Sequence, residues 1–153
     1  SGVIINNQTT LLKGVNDSPE VMAELFAGLT RIGITPYYVF HCRPVKRVKN
    51  SFQVSLHRGV EIVEGAKARL NGPAKRFKYA MSHPMGKIEI LGKTGQTLHF
   101  KYHQSKKPEL CGRFFSLDLP ENAGWIDPAM IPLQISGTGA GAGIRSTGPE
   151  ILS

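Results

Sequence analysis

Residues Val3–Cys42 read VIINNQTTLLKGVNDSPEVMAELFAGLTRIGITPYYVFHC, and the changes of period within them decide the fold. Val3–Leu12 is rich in β-branched and apolar residues and stops at the turn chemistry of Gly14-Val15-Asn16-Asp17, so it reads as a largely buried strand. A helix follows. Asp17 or Ser18 can cap it, Glu20 stands in capping-box spacing from Asp17, and Pro19 suits a first turn, where its missing N–H costs nothing. Met22, Leu25, Phe26, Leu29 and Ile32 then form one apolar stripe, which Gly33 ends. Ile34–Cys42 is a second, continuously apolar strand of the kind that parallel sheets bury on both faces. Strand, capped helix and strand with short connections make a βαβ crossover unit.

The pattern continues downstream. After the basic loop Arg43–Asn50, a second helix is expected over about Ser55–Leu70, with Leu56, Val60, Val63 and Leu70 on one face and Asn71-Gly72-Pro73 as its stop. A third strand, Arg76–Ser82, runs into a turn at Ser82–Gly86. The order β-α-β-α-β predicts an α/β fold whose ligands gather at the carboxyl ends of the strands. From Lys87 the period becomes two: Ile88 and Ile90, then Leu98, Phe100 and Tyr102 across a Gly92–Gly95 turn, which is a hairpin signature. Glu109–Asp127 reads as short strands and loops around Trp125, and Ser136–Gly148 as a flexible tail. We therefore divide the chain into an α/β part at 1–86, a β-rich extension at 87–135 and a Gly-rich tail at 136–153.

The 153 residues suffice for one ordinary core without disulfides or a structural metal. A net charge of +8 is compatible with an acidic partner, yet the basic runs Lys46–Lys49, Lys75–Lys78 and Lys106-Lys107 lack interleaved aromatic platforms, so no nucleic-acid partner is expected. Cys42 and Cys111 lie far apart and form no close ligand pair; a reducing cytoplasm is the expected home. The start SGVIINN has no Met and opens directly on a strand, which points to a piece of something longer, and no apolar run suggests secretion or membrane insertion.

Gly86-Lys87 at the mouth of a strand is the first candidate for chemistry, because a partly desolvated lysine can react with an aldehyde, whereas its bland reading is an exposed strand lysine. Arg43 is either a clamp for a carboxylate or phosphate or the first member of a solvated loop. It follows His41 and Cys42 at the end of the second strand, where such sheets present functional side chains. Asn6, Asn7 and Gln8 are amides in a strand read as buried, so some should face a ligand, a cavity or another chain. Gly92-Lys93-Thr94 lacks the earlier glycine of a phosphate loop, and GTGAGAG lacks a following helix. His99 and His103 share a strand face but stand roughly 13 Å apart, too far to share a metal, and are expected to be solvated.

Three stretches in order, NNQTTLLKGVNDSPEVMAELFAGLTRIGITPYYVFHC, SLHRGVEIVEGAKARLNG and GKIEI, resemble the C-terminal half of the lysine 2,3-aminomutase (KamA-like) family of radical S-adenosylmethionine proteins, over about Asn6–Leu91. The resemblance implies the last βα units of a partial (βα)6 barrel followed by a C-terminal β-hairpin extension. It also implies a four-iron four-sulfur cluster, S-adenosylmethionine, pyridoxal phosphate and migration of an amino group on a small amino-acid substrate. By position, Lys87 matches the family's pyridoxal-phosphate lysine, Gln8 a glutamine lining the S-adenosylmethionine pocket, and Tyr37, Tyr38 and Phe40 the strand beside the cofactors.

The departures are as informative. Only Gly86 remains of the glycine run before the cofactor lysine. Where lysine-specific members carry two aspartates for the substrate's distant ammonium, this chain has Arg43 and Ala80, so an acidic or neutral substrate such as glutamate is expected in place of lysine. The Cys-x3-Cys-x2-Cys run that binds the cluster is absent, so the chain alone is expected to be inert. It would act as part of a longer enzyme, or as a non-catalytic basic binding or assembly module on the same scaffold. Open strand edges predict association with another copy or with a missing N-terminal half.

Overall fold

Seven strands lie side by side in chain order and two helices pack against them, in a computed structural model that describes residues 2–46, 51–131 and the backbone of 145–146. The elements are β1 (Ile5–Leu11), α1 (Pro19–Arg31), β2 (Ile34–His41), α2 (Leu56–Ala68), β3 (Lys78–His83), β4 (Gly86–Thr94), β5 (Thr97–Ser105), β6 (Phe114–Asp118) and β7 (Arg145–Ser146). β1, β2 and β3 are parallel, β3 to β6 form an antiparallel meander, and the two-residue β7 runs parallel to β6. The result is an α/β fold with an open mixed sheet, in which two βα units feed directly into the meander. The remainder of the 136–153 tail and residues 47–50 of the basic loop lie outside the described residues.

Local chemistry sets the elements. Ser18 caps α1, its hydroxyl accepting from the Val21 N–H, with Pro19 next in the first turn; Asp17 does not take that role. Ser55 caps α2 in the same way through Arg58 N. Met22 and Phe26 on α1 and Val60, Ile62, Val63 and Ala66 on α2 enter one core with Val39, Tyr79, Met81, Ile88, Ile90, Phe100 and Tyr102 from the sheet. Phe26 packs on Phe77 at a ring separation of 4.5 Å, and burying a side chain of that size contributes about 2–3 kcal/mol.

Three expectations change. β1 is not a buried strand: Ile5 is 54% exposed, Val3 and Ile4 just before it are 76% and 81% exposed, and only Leu11 is fully covered, because β1 is the sheet's edge. Likewise α1 buries only part of its stripe, and Leu25 and Ile32 stay exposed on its outer side. The β4–β5 hairpin forms, but its turn lies at Gly95-Gln96, since both strands continue through a bulge that leaves Leu91 unpaired. A second irregularity, between Asn7 and Gln8 on β1, leaves Tyr37 unpaired beside Pro36, which has no N–H to give the ladder.

Candidate functional site

Alternation along β2, β3, β4 and β5 sends Val39, Tyr79, Met81, Ile88 and Tyr102 into the helix-covered core, and Tyr38, Phe40, Ala80, Lys87 and His103 to the other face. Lys87 stands at the start of β4, behind the turn His83-Pro84-Met85-Gly86. Gly86 sits at φ 132° against the backbone carbonyl of Gln104, so any Cβ there would collide with β5. The glycine before Lys87 is thus required by strand pairing. The Lys87 Nζ lies 4.5 Å from the Tyr38 ring centroid and 5.6 Å from that of Phe40. Such contacts stabilise an ammonium by about 1 kcal/mol.

Tyr38 in turn reaches across the sheet. Its hydroxyl lies 2.7 Å from His103 Nε2, although β3 and β4 run between their two strands, so the face carrying them must curl to bring the side chains together. A bulge marks the spot: Ile88 pairs with Tyr102 and Lys87 with Gln104, which leaves His103 as the extra residue. Burial, reinforced by Tyr37 and Glu89, pushes the Tyr38 hydroxyl up to about 12. Burial and then the Lys78 charge, helped by Lys87 and Lys101 and opposed by Glu89, hold the His103 imidazole below its ordinary range. Both directions favour the neutral pair, joined by one hydrogen bond between the Tyr38 hydroxyl and His103 Nε2. The solvated reading of the two histidines therefore fails. His99 is also bonded, through Nδ1 to Ser116 Oγ at 2.8 Å and through Nε2 to Thr94 Oγ1 at 3.0 Å.

Beside this group, at the carboxyl ends of the parallel strands, opens a cleft of about 480 Å³ lined by Thr10, Phe40, His41, Cys42, Arg43, Val45 and Ser82. Arg43 Nε donates to the Ser82 carbonyl at 2.9 Å, which fixes the guanidinium over the ends of β2 and β3. Phe40 belongs to both places, lining the cleft and lying under the Lys87 amine. Gln8 is in register with Tyr38 and Thr10 with Phe40, so Gln8 stands one step along the same face, exposed. Cys42 is buried, and that burial raises its thiol. His41 does not serve the cleft with its imidazole: its Nε2–H donates to the Gly124 carbonyl at 2.7 Å and its Nδ1 accepts from the Tyr79 hydroxyl at 2.6 Å.

Residue chemistry sorts the implied cofactors. A primary amine flanked by two aromatic faces, with Lys78 and Lys101 close by, has the chemistry to hold an anionic aromatic aldehyde, so the residues present fit pyridoxal phosphate. They do not fit an iron-sulfur cluster. The chain has two cysteines, one buried and one exposed, and no three potential ligands cluster among the described residues. Among the described residues no helix is long and apolar enough to cross a membrane.

Comparison with known proteins bears on this arrangement. A putative L-lysine 2,3-aminomutase of Aquifex aeolicus is 41% identical over 127 residues, covering 83% of this chain and 34% of the relative. The L-lysine 2,3-aminomutase of Bacillus subtilis is 34% identical over 144 residues, covering 84% of this chain and 30% of its own length. This chain is homologous to the lysine 2,3-aminomutases. It matches the C-terminal portion of such proteins and spans about a third of the length of the curated relatives named above. A glutamate 2,3-aminomutase of Clostridioides difficile is also similar, at 38% over 74 residues, 48% of this chain and 17% of that protein. The homology is therefore to an aminomutase family with more than one substrate, and no family model matches the chain.

Proposed function

We propose that this chain is the pyridoxal-phosphate-side and substrate-side portion of a radical S-adenosylmethionine amino-acid 2,3-aminomutase-like enzyme, with glutamate as first candidate substrate. The observation that carries this is the shared residue Phe40, which joins the Lys87 amine to the cleft under Arg43. Lys87 would hold the cofactor's aldehyde carbon, Phe40 and Tyr38 would bound its ring, and Gln8 would reach toward S-adenosylmethionine along the same face. When bound, pyridoxal phosphate supplies a carbonyl carbon that carries the amino group between neighbouring carbons of the substrate. Cluster ligands would come from outside this chain.

Arg43 supports the acidic preference. A guanidinium held by Ser82 keeps further N–H donors to pair with a carboxylate, while a substrate ammonium in its place would meet a like charge. Ala80, fully buried beside Phe40, offers no second carboxylate. The test is direct. Adding pyridoxal phosphate to the protein should give a visible absorption band that borohydride fixes on Lys87 and that Lys87→Ala abolishes. A band that survives in Lys87→Ala, or none in the wild type, would overturn the cofactor reading and favour a non-catalytic binding module.

A further inference from the structure

We infer that His103, acting through the Tyr38 hydroxyl, positions the Lys87 amine. The inference rests on Lys87 being the reactive amine proposed above, but its geometry is independent of any cofactor. Tyr38 is almost completely buried and sits under the Lys87 Nζ. Its hydroxyl lies 2.7 Å from His103 Nε2, a bond that fixes the far end of the ring in the plane of the sheet face. That anchor arrives from β5 by way of a bulge placed opposite Lys87 itself, so one irregularity sets both ends of the contact. Phe40 stacks on Tyr38 at 5.2 Å, and Tyr37 meets it edge-on at 4.4 Å, so a shift of Tyr38 moves the whole aromatic floor.

The device has a working state. With His103 neutral and its proton on Nδ1, Nε2 accepts from the Tyr38 hydroxyl and the floor is held. Once His103 is protonated both ring nitrogens are donors, the hydroxyl must turn round, and an imidazolium joins Lys78, Lys87 and Lys101 against the single carboxylate of Glu89. Because the fold holds His103 below its ordinary value of 6.5, the positioned state persists down to that pH and is lost only below it. Glutamine at position 103 can accept the same proton and does not titrate.

The experiment follows labelling of Lys87 by peptide mass spectrometry from mildly acidic to mildly alkaline pH, with two probes. One is formaldehyde with a mild reductant, which needs no cofactor site, and the other is pyridoxal phosphate trapped by borohydride. We expect Tyr38→Phe and His103→Ala to slow Lys87 labelling by about fivefold relative to other lysines, the worth of one buried hydrogen bond. His103→Gln should restore labelling at neutral pH and flatten its additional fall below pH 6.5. Unchanged labelling in all three variants, or a His103→Gln protein as slow as His103→Ala, would overturn the inference. Formaldehyde labelling that follows this pattern while pyridoxal phosphate labels Lys87 no faster than other lysines would leave the positioning role standing and remove the cofactor reading.

Discussion

Arg43 carries the charge that bears most directly on what the cleft admits. Its Nε is spent on Ser82, so its remaining N–H groups form the fork that a substrate carboxylate would meet. Charge-assisted bonds of this kind contribute about 1.5–3 kcal/mol, so Arg43→Asp in the complete enzyme should lower kcat/KM for glutamate roughly 10- to 100-fold and raise that for lysine. Steady-state kinetics on both amino acids would decide it: a wild type that prefers lysine, or a variant whose ranking does not move, would sink the specificity argument. The sequence already held this residue as a candidate, because strand ends in α/β sheets are readable. It could not choose between clamp and solvated loop, since that depends on the bond to Ser82 across a gap of 39 residues.

At the level of elements, the helices and parallel strands were legible because each is written in local chemistry: Ser18, Ser55, Pro19 and a change of period. The Tyr38–His103 bridge was not, because it requires hairpin register, a bulge and sheet curvature, none of which leaves a mark on neighbouring residues. The same holds for the segment after β6. It is bound to the helix-covered side of the sheet by His57 to Leu119 O at 2.8 Å, His41 to Gly124 O and His83 to Ile126 O at 2.9 Å, with Trp125 between the His41 and His83 rings. The buried His41 is held neutral, its value lowered to about 4 from 6.5 mainly by desolvation. The unfolded chain therefore binds the extra proton first. Stability from this group is complete above pH 6.5 and falls as pH drops toward 4, by up to roughly 3 kcal/mol. Urea unfolding across that window should show the fall, and His41→Gln, which can still donate to Gly124, should be flatter than the wild type. Equal slopes for the two proteins would show that His41 is not the group responsible.

For the molecule as a whole, the misread of β1 is the informative one. Its composition says buried, and its position says edge, and both hold if something outside the described residues normally lies against it. Val3 and Ile4, just before β1, and Ile5 at its start are exposed along the sheet's edge, and Val21, Leu25 and Ile32 are exposed on α1. In a longer aminomutase we expect a preceding strand and helix to cover it. In the isolated chain a second copy is the available cover, because an open apolar edge templates pairing. Sedimentation at micromolar concentration should then give a mass above the 16.7 kDa of one chain. Ile5→Lys places a charge on that edge without touching the core or the Lys87 face, so it should return the protein to a single copy while its circular dichroism and its Lys87 labelling stay as in the wild type. A wild type that sediments as one chain would mean that the edge is tolerated bare. An Ile5→Lys protein that still associates would move the contact elsewhere.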